Sequence, residues 1–380
     1  MNFQLTKEQE FVQKMVREFA KTEVEPLAAE IDQEHRFPVE TVEKMAKYGL
    51  LGIPFPTKYG GMGGDEVSYS ITVSELAKVC ASTSVIVSAH TSLCCWPIYK
   101  YGTEDQKMKY LPELLSGKKL GAFGLTEPNA GTDASGQQTR AELDGDEWVL
   151  NGAKCFITNG GYAEVFVVMA MTDKSKGNHG ISAFIVEKND PGFSIGKTED
   201  KMGICASSTT ELIFQNCRIP KDRLLGGLGK GFKVAMQTLD GGRIGIASQA
   251  LGIAEGALEV TIEYMKQRKQ FGKKLAQMQA LQFVVADLAT KVEAAKLLVL
   301  KSAFCEDAGL PYGVPAAMAK LFAAETAMEV TTKCVQLHGG YGYTKDYPVE
   351  RMMRDAKITE IYEGTSEVQK IVIGASVLGK

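Results

Sequence analysis

The feature that most constrains this chain is a change of hydrophobic period, made twice along its length. Between about residues 120 and 226, apolar runs at 165–169, 181–186 and 211–214 are separated by turn signals, with no helical stretch between them. Asp144-Gly145 and Asn151-Gly152 read as hairpin turns around Trp148-Val149-Leu150. Strands that follow one another without crossover helices pair antiparallel. The middle of the chain is therefore predicted to be a small antiparallel sandwich or barrel, not a doubly wound nucleotide-binding sheet.

On either side the period is helical. Thr6-x-x-Gln9 has the form of a capping box, and Val12, Met15, Val16 and Phe19 continue at three- and four-residue steps. Pro38 opens and Gly49 closes a second helix. After Tyr59-Gly60-Gly61-Met62-Gly63-Gly64-Asp65, helical pattern runs through Leu76 to about Leu115, with breaks expected near Pro97 and Gly102. These glycines lie between two helical patterns, which favours a plain connection over a phosphate cradle. Beyond Gly231 the elements lengthen. Ile246, Ala250, Ile253, Ala257 and Met265 form one stripe, and Leu281, Val285, Leu288, Val292, Ala295 and Val299 follow bundle-seam spacing. A third long helix is predicted from Pro315 through Met318, Phe322 and Met328 to about Leu337. The predicted class is α+β and multidomain: an all-α region over 1–119, an antiparallel β region over 120–226, and a bundle of about four helices over 227–380. A length of 380 residues accommodates two or three such cores.

Composition removes several function classes. Lys and Arg number 43 against 46 for Asp and Glu, a net charge of -3 that offers no field to nucleic acid or anionic lipid. No apolar stretch reaches the ~20 residues of a membrane span, so a soluble chain without membrane insertion is expected. The first eight residues carry neither a signal nor a transit character, which makes a cytosolic location the default. The eight cysteines contain no C-x-x-C and no zinc-ligand spacing; they read as buried hydrophobes, and no metal site is expected. Gly226-Gly227-Leu228-Gly229-Lys230-Gly231 has the wrong spacing for a dinucleotide fingerprint and lacks the Ser/Thr of a P-loop. No G-x-S-x-G elbow is present.

Three segments are more unusual than core or surface requires. In the 123–133 run, small residues and hydroxyls crowd a turn at the helix-to-sheet boundary, which suits either an ordinary turn or a backbone cradle for a phosphate or polar ring. His338-Gly339-Gly340-Tyr341-Gly342-Tyr343 reads locally as a glycine cap and outgoing loop. In Ile361-Tyr362-Glu363-Gly364-Thr365-Ser366-Glu367-Val368-Gln369, Ser366-x-x-Gln369 can cap a final helix, with Glu363 just upstream among apolar neighbours.

With Phe156-Ile157-Thr158-Asn159-Gly160, Asp240-Gly241-Gly242-Arg243 and Arg268-Lys269-Gln270-Phe271-Gly272, these segments stand in the order of the acyl-CoA dehydrogenase family. The resemblance covers essentially the whole chain, and the 126–136 run resembles the bacterial short-chain, butyryl-CoA-type members. It implies a helical, β, four-helix-bundle fold with FAD between the β region and the C-terminal helices. Phe123, Leu125, Thr126, Gly131, Thr132, Phe156, Ile157 and Thr158 would line the flavin, with Thr126 bonded to its ring. Arg268 and Gln279, with Gln336, Leu337, Gly339 and Gly340, resemble positions that hold the FAD of a neighbouring subunit, which implies a homo-oligomer, typically a tetramer; Gln270 and Phe271 belong with the cofactor contacts. Thr365 and Glu367 fall with the cofactor contacts.

By the same resemblance, Glu363 is the catalytic base that removes the α-proton of an acyl-CoA while the β-hydride passes to flavin N5. Thr132, Asp240, Gly241, Gly242, Arg243 and Gly364 resemble substrate contacts, although Asp240 and Arg243 suit a structural ion pair as well. The missing nicotinamide fingerprint means that electrons leave through another redox protein, in this family electron-transferring flavoprotein. A helix N-terminus would lower the Glu363 pKa, but desolvation by a bound acyl chain is the larger effect and is expected to raise it. An acyl-CoA oxidase and a catalytically silent helical adaptor are the competing readings, and the acyl chain length is left open.

Overall fold

Strands buried on both faces explain why the middle region shows continuous apolar runs rather than alternation. In the computed structural model, which describes residues 4–379, β1 (Gly121–Gly124), β2 (Arg140–Asp144), β3 (Glu147–Thr158), β4 (Val165–Met171), β5 (Ile181–Glu187), β6 (Phe193–Thr198), β7 (Thr209–Pro220) and β8 (Leu224–Leu225) form one sheet. Its order is β6-β7-β3-β2-β4-β5-β8, with β1 also on β4. Val165, Val167 and Met169 of β4 pack with Leu93, Leu111 and Val234 of the helices. Phe166, Val168 and Ala170 face the other way, onto Trp148, Leu150, Leu212 and Phe214. Phe166 and Phe184 are fully buried, each worth about 1.5–3 kcal/mol.

Two expectations about this sheet need correction. The pairings are antiparallel except along one edge of β4, where β1 runs parallel to Val165–Val168 and Arg140 of β2 then pairs parallel with Met171. Because β1 and β2 share that edge, residues 125–139 leave the sheet between them as a loop. The Asp144-Gly145 turn is a hairpin, with Gly145 at φ +64. Asn151-Gly152 is not. It lies inside β3 at a register shift against β7, because Gly152 at φ +145 presses on Thr139, whose Oγ1 would sit 2.5 Å from an added Cβ.

The capping box on Lys7–Phe19 is present as read, and Gly49 ends the Val39–Lys47 helix at φ +70. The 60–64 loop is a plain connection that ends on Asp65, whose side chain caps Glu66–Ala77. Pro97 does not break the helical run; it enters the first turn of Trp96–Tyr101, where a missing N–H costs nothing. The chain breaks at Gly102 as expected and also at Val79 and Cys80, and a wider π-type turn spans Ala89–Cys95. Buried His90 of that turn accepts the Gly121 N–H at 3.0 Å, fixing the helices to β1. All cysteines except Cys305 are buried. The leader-free reading of residues 1–3 lies outside the described residues.

In the C-terminal region Gly231–Gln267, Gln279–Asp307 and Gly313–His338 share one core, in which Ala247, Ala250, Ala254 and Ala257 meet Ala319, Ala323 and Ala327. Small side chains let these backbones approach closely. Val349–Lys357 and Ser366–Val377 complete the packing. No helix among the described residues is long and apolar enough to cross a membrane.

Candidate active site

Glu363 sits in a turn that its sequence makes costly. Its φ is +52 and that of Gly364 is +92, after which Ser366–Val377 begins. A left-handed non-glycine residue stores about 1–3 kcal/mol, which the surroundings must supply. The cap of that helix is Thr365, whose hydroxyl accepts from Val368 N at 3.3 Å, and not the Ser366-x-x-Gln369 pair. Gln369 is fully buried and used elsewhere: its Nε2 donates to the Gly364 carbonyl at 2.8 Å and to that of Glu363 at 3.4 Å. Lys320, also fully buried, donates to the Gly364 carbonyl at 2.6 Å.

The Glu363 carboxylate is directed at Gly242 of the Gly231–Gln267 helix, where an added Cβ would run into its Oε2 and lie 2.9 Å from Leu93. Glycine therefore leaves the space that the carboxylate occupies. The residue as a whole is half-buried, yet Oε2 is out of reach of water and has no hydrogen-bond partner. Burial pushes the Glu363 pKa up to about 7, against the opposing pull of Lys320 and Arg243. Burial by the protein's own side chains thus suffices for the rise that was expected only from a bound acyl chain. Asp240 and Arg243 form an ion pair at 2.6 Å, with Arg243 buried and its Nε unpaired. The two side chains are thus paired within the chain.

Leu93 connects this site to the 123–133 segment, since it packs in one core with Phe123 and Leu125. Thr126 accepts the Cys155 N–H at 2.9 Å, which brings the loop against Phe156, Ile157 and Thr158. Phe156 is 63% exposed and held at φ +59, whereas Ile157 is buried in the sheet core, so its side chain faces no ligand. Gly131 and Thr132 are exposed, and Thr126 and Thr158 are partly so. Beneath the loop, fully buried Lys154 bonds Glu127 at 2.7 Å, the Leu125 carbonyl at 3.0 Å and Gln137 at 3.1 Å.

The remaining predicted residues gather elsewhere. Arg268, Gln270, Gln336, Leu337, Gly339 and Gly340 line a cavity of about 680 Å³, with the Arg268 guanidinium 5.5 Å over the Tyr341 ring. Gly339 ends its helix at φ +61, so the glycine cap and the cavity wall are one feature. Phe271 is 95% exposed at φ +52; it and exposed Gln279 lie outside that lining. Thr365 and exposed Glu367 stand beside Glu363 instead. Gln336 is sixteen residues along the helix from Lys320, about 24 Å at 1.5 Å per residue. One chain therefore does not bring this cavity and Glu363 together. Sequence reasoning missed Lys320 and Lys154. The available signal for Lys320 was a charged residue four positions after Ala316 and three before Ala323, on an otherwise alanine face.

Three family models match the chain: acyl-CoA dehydrogenase N-terminal domain over residues 6–118, middle domain over 122–217 and C-terminal domain over 229–378. A short-chain-specific acyl-CoA dehydrogenase of Clostridium acetobutylicum is 63% identical over 377 residues, covering 99% of this chain and 100% of the relative. The solved butyryl-CoA dehydrogenase of Megasphaera elsdenii superposes with a TM-score of 0.98 at 53% identity over all of both chains. A chain solved in work on the electron transferring flavoprotein of Acidaminococcus fermentans and flavin-based electron bifurcation gives a TM-score of 0.99 at 56% identity, also over all of both chains.

Proposed function

The chain belongs to the acyl-CoA dehydrogenase family, and from that premise we propose that it is an FAD-dependent short-chain enzyme interconverting butyryl-CoA and crotonyl-CoA. The observation that carries this reading is the buried, unpartnered Oε2 of Glu363, held in a strained turn against a glycine, on a carboxyl with a pKa of about 7. A general base works best when its pKa lies near the working pH. Glu363 takes the α-proton in dehydrogenation, which needs the carboxylate and so gains as pH rises through 7. In the reverse direction it gives the proton back, which needs the carboxyl form and gains as pH falls through 7. The Glu363 N–H is assigned to the thioester carbonyl, with Thr132, Gly241, Gly242 and Gly364 at the walls. Arg243 with Asp240 is assigned to CoA, a local contact that a chain of net charge -3 needs for a polyanion.

The residues present fit a flavin. Phe156 presents an exposed ring, and the partly exposed hydroxyls of Thr126 and Thr158 lie on segments joined by the Cys155–Thr126 hydrogen bond. These residues would hold FAD, which would supply the acceptor for the β-hydride. Phe123, Leu125, Gly131 and the Ile157 backbone complete this wall. The cavity of Arg268, Gln270, Gln336, Leu337, Gly339 and Gly340 is assigned to the FAD of a second copy, together with Phe271 and Gln279 outside its lining, because it stands about 24 Å along its helix from Lys320. A homo-oligomer, read as a tetramer by family resemblance, is the assembly assigned. Electron-transferring flavoprotein is assigned as redox partner, a reading supported by the Acidaminococcus match. A bacterial, cytoplasmic setting accords with the bacterial relatives.

Anaerobic titration with C3 to C8 acyl-CoAs tests the assignment. Flavin bleaching is expected to be most complete at C4, and Glu363→Gln is expected to keep the flavin but lose bleaching by about 10²–10⁴-fold in rate. Preference for C8 would overturn the short-chain part, and fast bleaching in the variant would remove Glu363 as base.

A further inference from the structure

The Glu363 turn is held by two buried donors that differ in charge. Gln369 and Lys320 both bond the Gly364 carbonyl, and Gln369 reaches the Glu363 carbonyl as well. Either could hold the backbone. Only Lys320 brings a positive charge, and among the described residues no carboxylate forms an ion pair with it.

We propose that Lys320 is a positioning residue for Glu363, whose buried ammonium fixes the 363–364 turn through the Gly364 carbonyl and keeps the neighbouring carboxylate ionised where it must act as a base. The proposal rests on the reading of Glu363 as that base. Of the other groups around the carboxylate, Arg243 alone also favours its charged form, by less than Lys320 does. Arg243, from the Gly231–Gln267 helix, is already answered by Asp240 at 2.6 Å. Tyr69, from Glu66–Ala77, and the adjacent Tyr362 are neutral phenols whose pKa values burial pushes up. Glu360 and Glu367, which face Lys320 from the segments flanking Glu363, support its charged form. The lysine itself is poised: burial outweighs the raising pull of Glu363, and the balance lowers it to about 8. An opposite charge within a few ångströms typically moves a carboxyl by about 1–3 pKa units. Lysine and glutamate thus each favour the charged form of the other, against the burial that opposes both.

Lys320→Gln separates this role from simple packing, because it keeps a donor for the Gly364 carbonyl and removes the charge. Gln369→Met does the reverse, removing a donor and leaving the charge. Two readouts on the holoenzyme are compared across pH: the rate of flavin bleaching by butyryl-CoA, and the infrared carboxyl band of Glu363, isolated by subtracting Glu363→Gln spectra. Lys320→Gln is expected to raise the midpoint of both by about one pH unit or more. Gln369→Met is expected to slow bleaching at every pH with the midpoint in place. An unmoved infrared midpoint in Lys320→Gln would overturn the proposal, and so would an equal shift in Gln369→Met. If Glu363→Gln itself bleached normally, the base assignment would fall, while the infrared midpoint would still report whether Lys320 controls the Glu363 proton.

Discussion

Two buried lysine–glutamate neighbourhoods in this molecule use the same residue types to opposite ends. Under the 125–139 loop, Glu127 has Lys154 at 2.7 Å and the backbone N–H groups of Gln138 and Thr139. Burial alone would raise its pKa, but Lys154 and these N–H groups hold it below the usual carboxylate range. At the turn before the last helix, Glu363 has a lysine nearby that bonds a carbonyl instead, and its pKa rises to about 7. Both lysines are fully buried and both are pulled down to about 8. The difference is geometric. A satisfied buried carboxylate becomes scaffold, whereas one denied hydrogen bonds keeps its proton affinity for a reaction.

The comparison can be broken from either side. The largest effect is expected at the scaffold: Lys154→Met strands a buried carboxylate and should cost about 3–5 kcal/mol in urea unfolding, with the Lys154→Met/Glu127→Gln pair recovering most of it. A loss below 1 kcal/mol would mean that the backbone N–H groups alone satisfy Glu127. Next is Gly242→Ala, where the added methyl meets the free end of a flexible side chain rather than backbone. Glu363 should swing aside, giving about a 100-fold slower reduction of the flavin with little change in melting temperature. Retained speed would show that the base tolerates displacement. The smallest concerns Glu363→Gln and stability. The folded-state pKa of about 7 lies above the ordinary carboxyl value of 4.5, so the wild type loses stability as pH rises between these values. The neutral variant should therefore be more stable at pH 8, by on the order of 2–3 kcal/mol, with the gain gone near pH 4. A gain that persists at pH 4 would contradict a shifted Glu363.

Much of the architecture was readable because periodicity records local burial. The long helices over 231–267, 279–307 and 313–338 carry their stripes openly, and the β region follows from turns without crossover helices. What escaped depends on distant contacts. Asn151-Gly152 has the composition of a turn, but its shape is set by Thr139 from another strand. The break at Val79 and Cys80 carries neither Gly nor Pro. Glu363 stood out through family resemblance, since an isolated Glu in a sequence looks solvated. The donors that hold it, Lys320 and Gln369, are separated from it by 43 and 6 positions, and only folding shows that they meet at one carbonyl.

The Gly231–Gln267 helix also sets an electrostatic distance. Gly242, against Glu363, and Arg268, at the cavity by the helix end, are 26 residues apart, about 39 Å along a hydrogen-bonded rod. The screening length at physiological ionic strength is about 8 Å, so several screening lengths separate the two. Within one chain, the protonation of Glu363 is therefore insulated from any anion that occupies the Arg268 cavity, and the two places are independent circuits on a single strut.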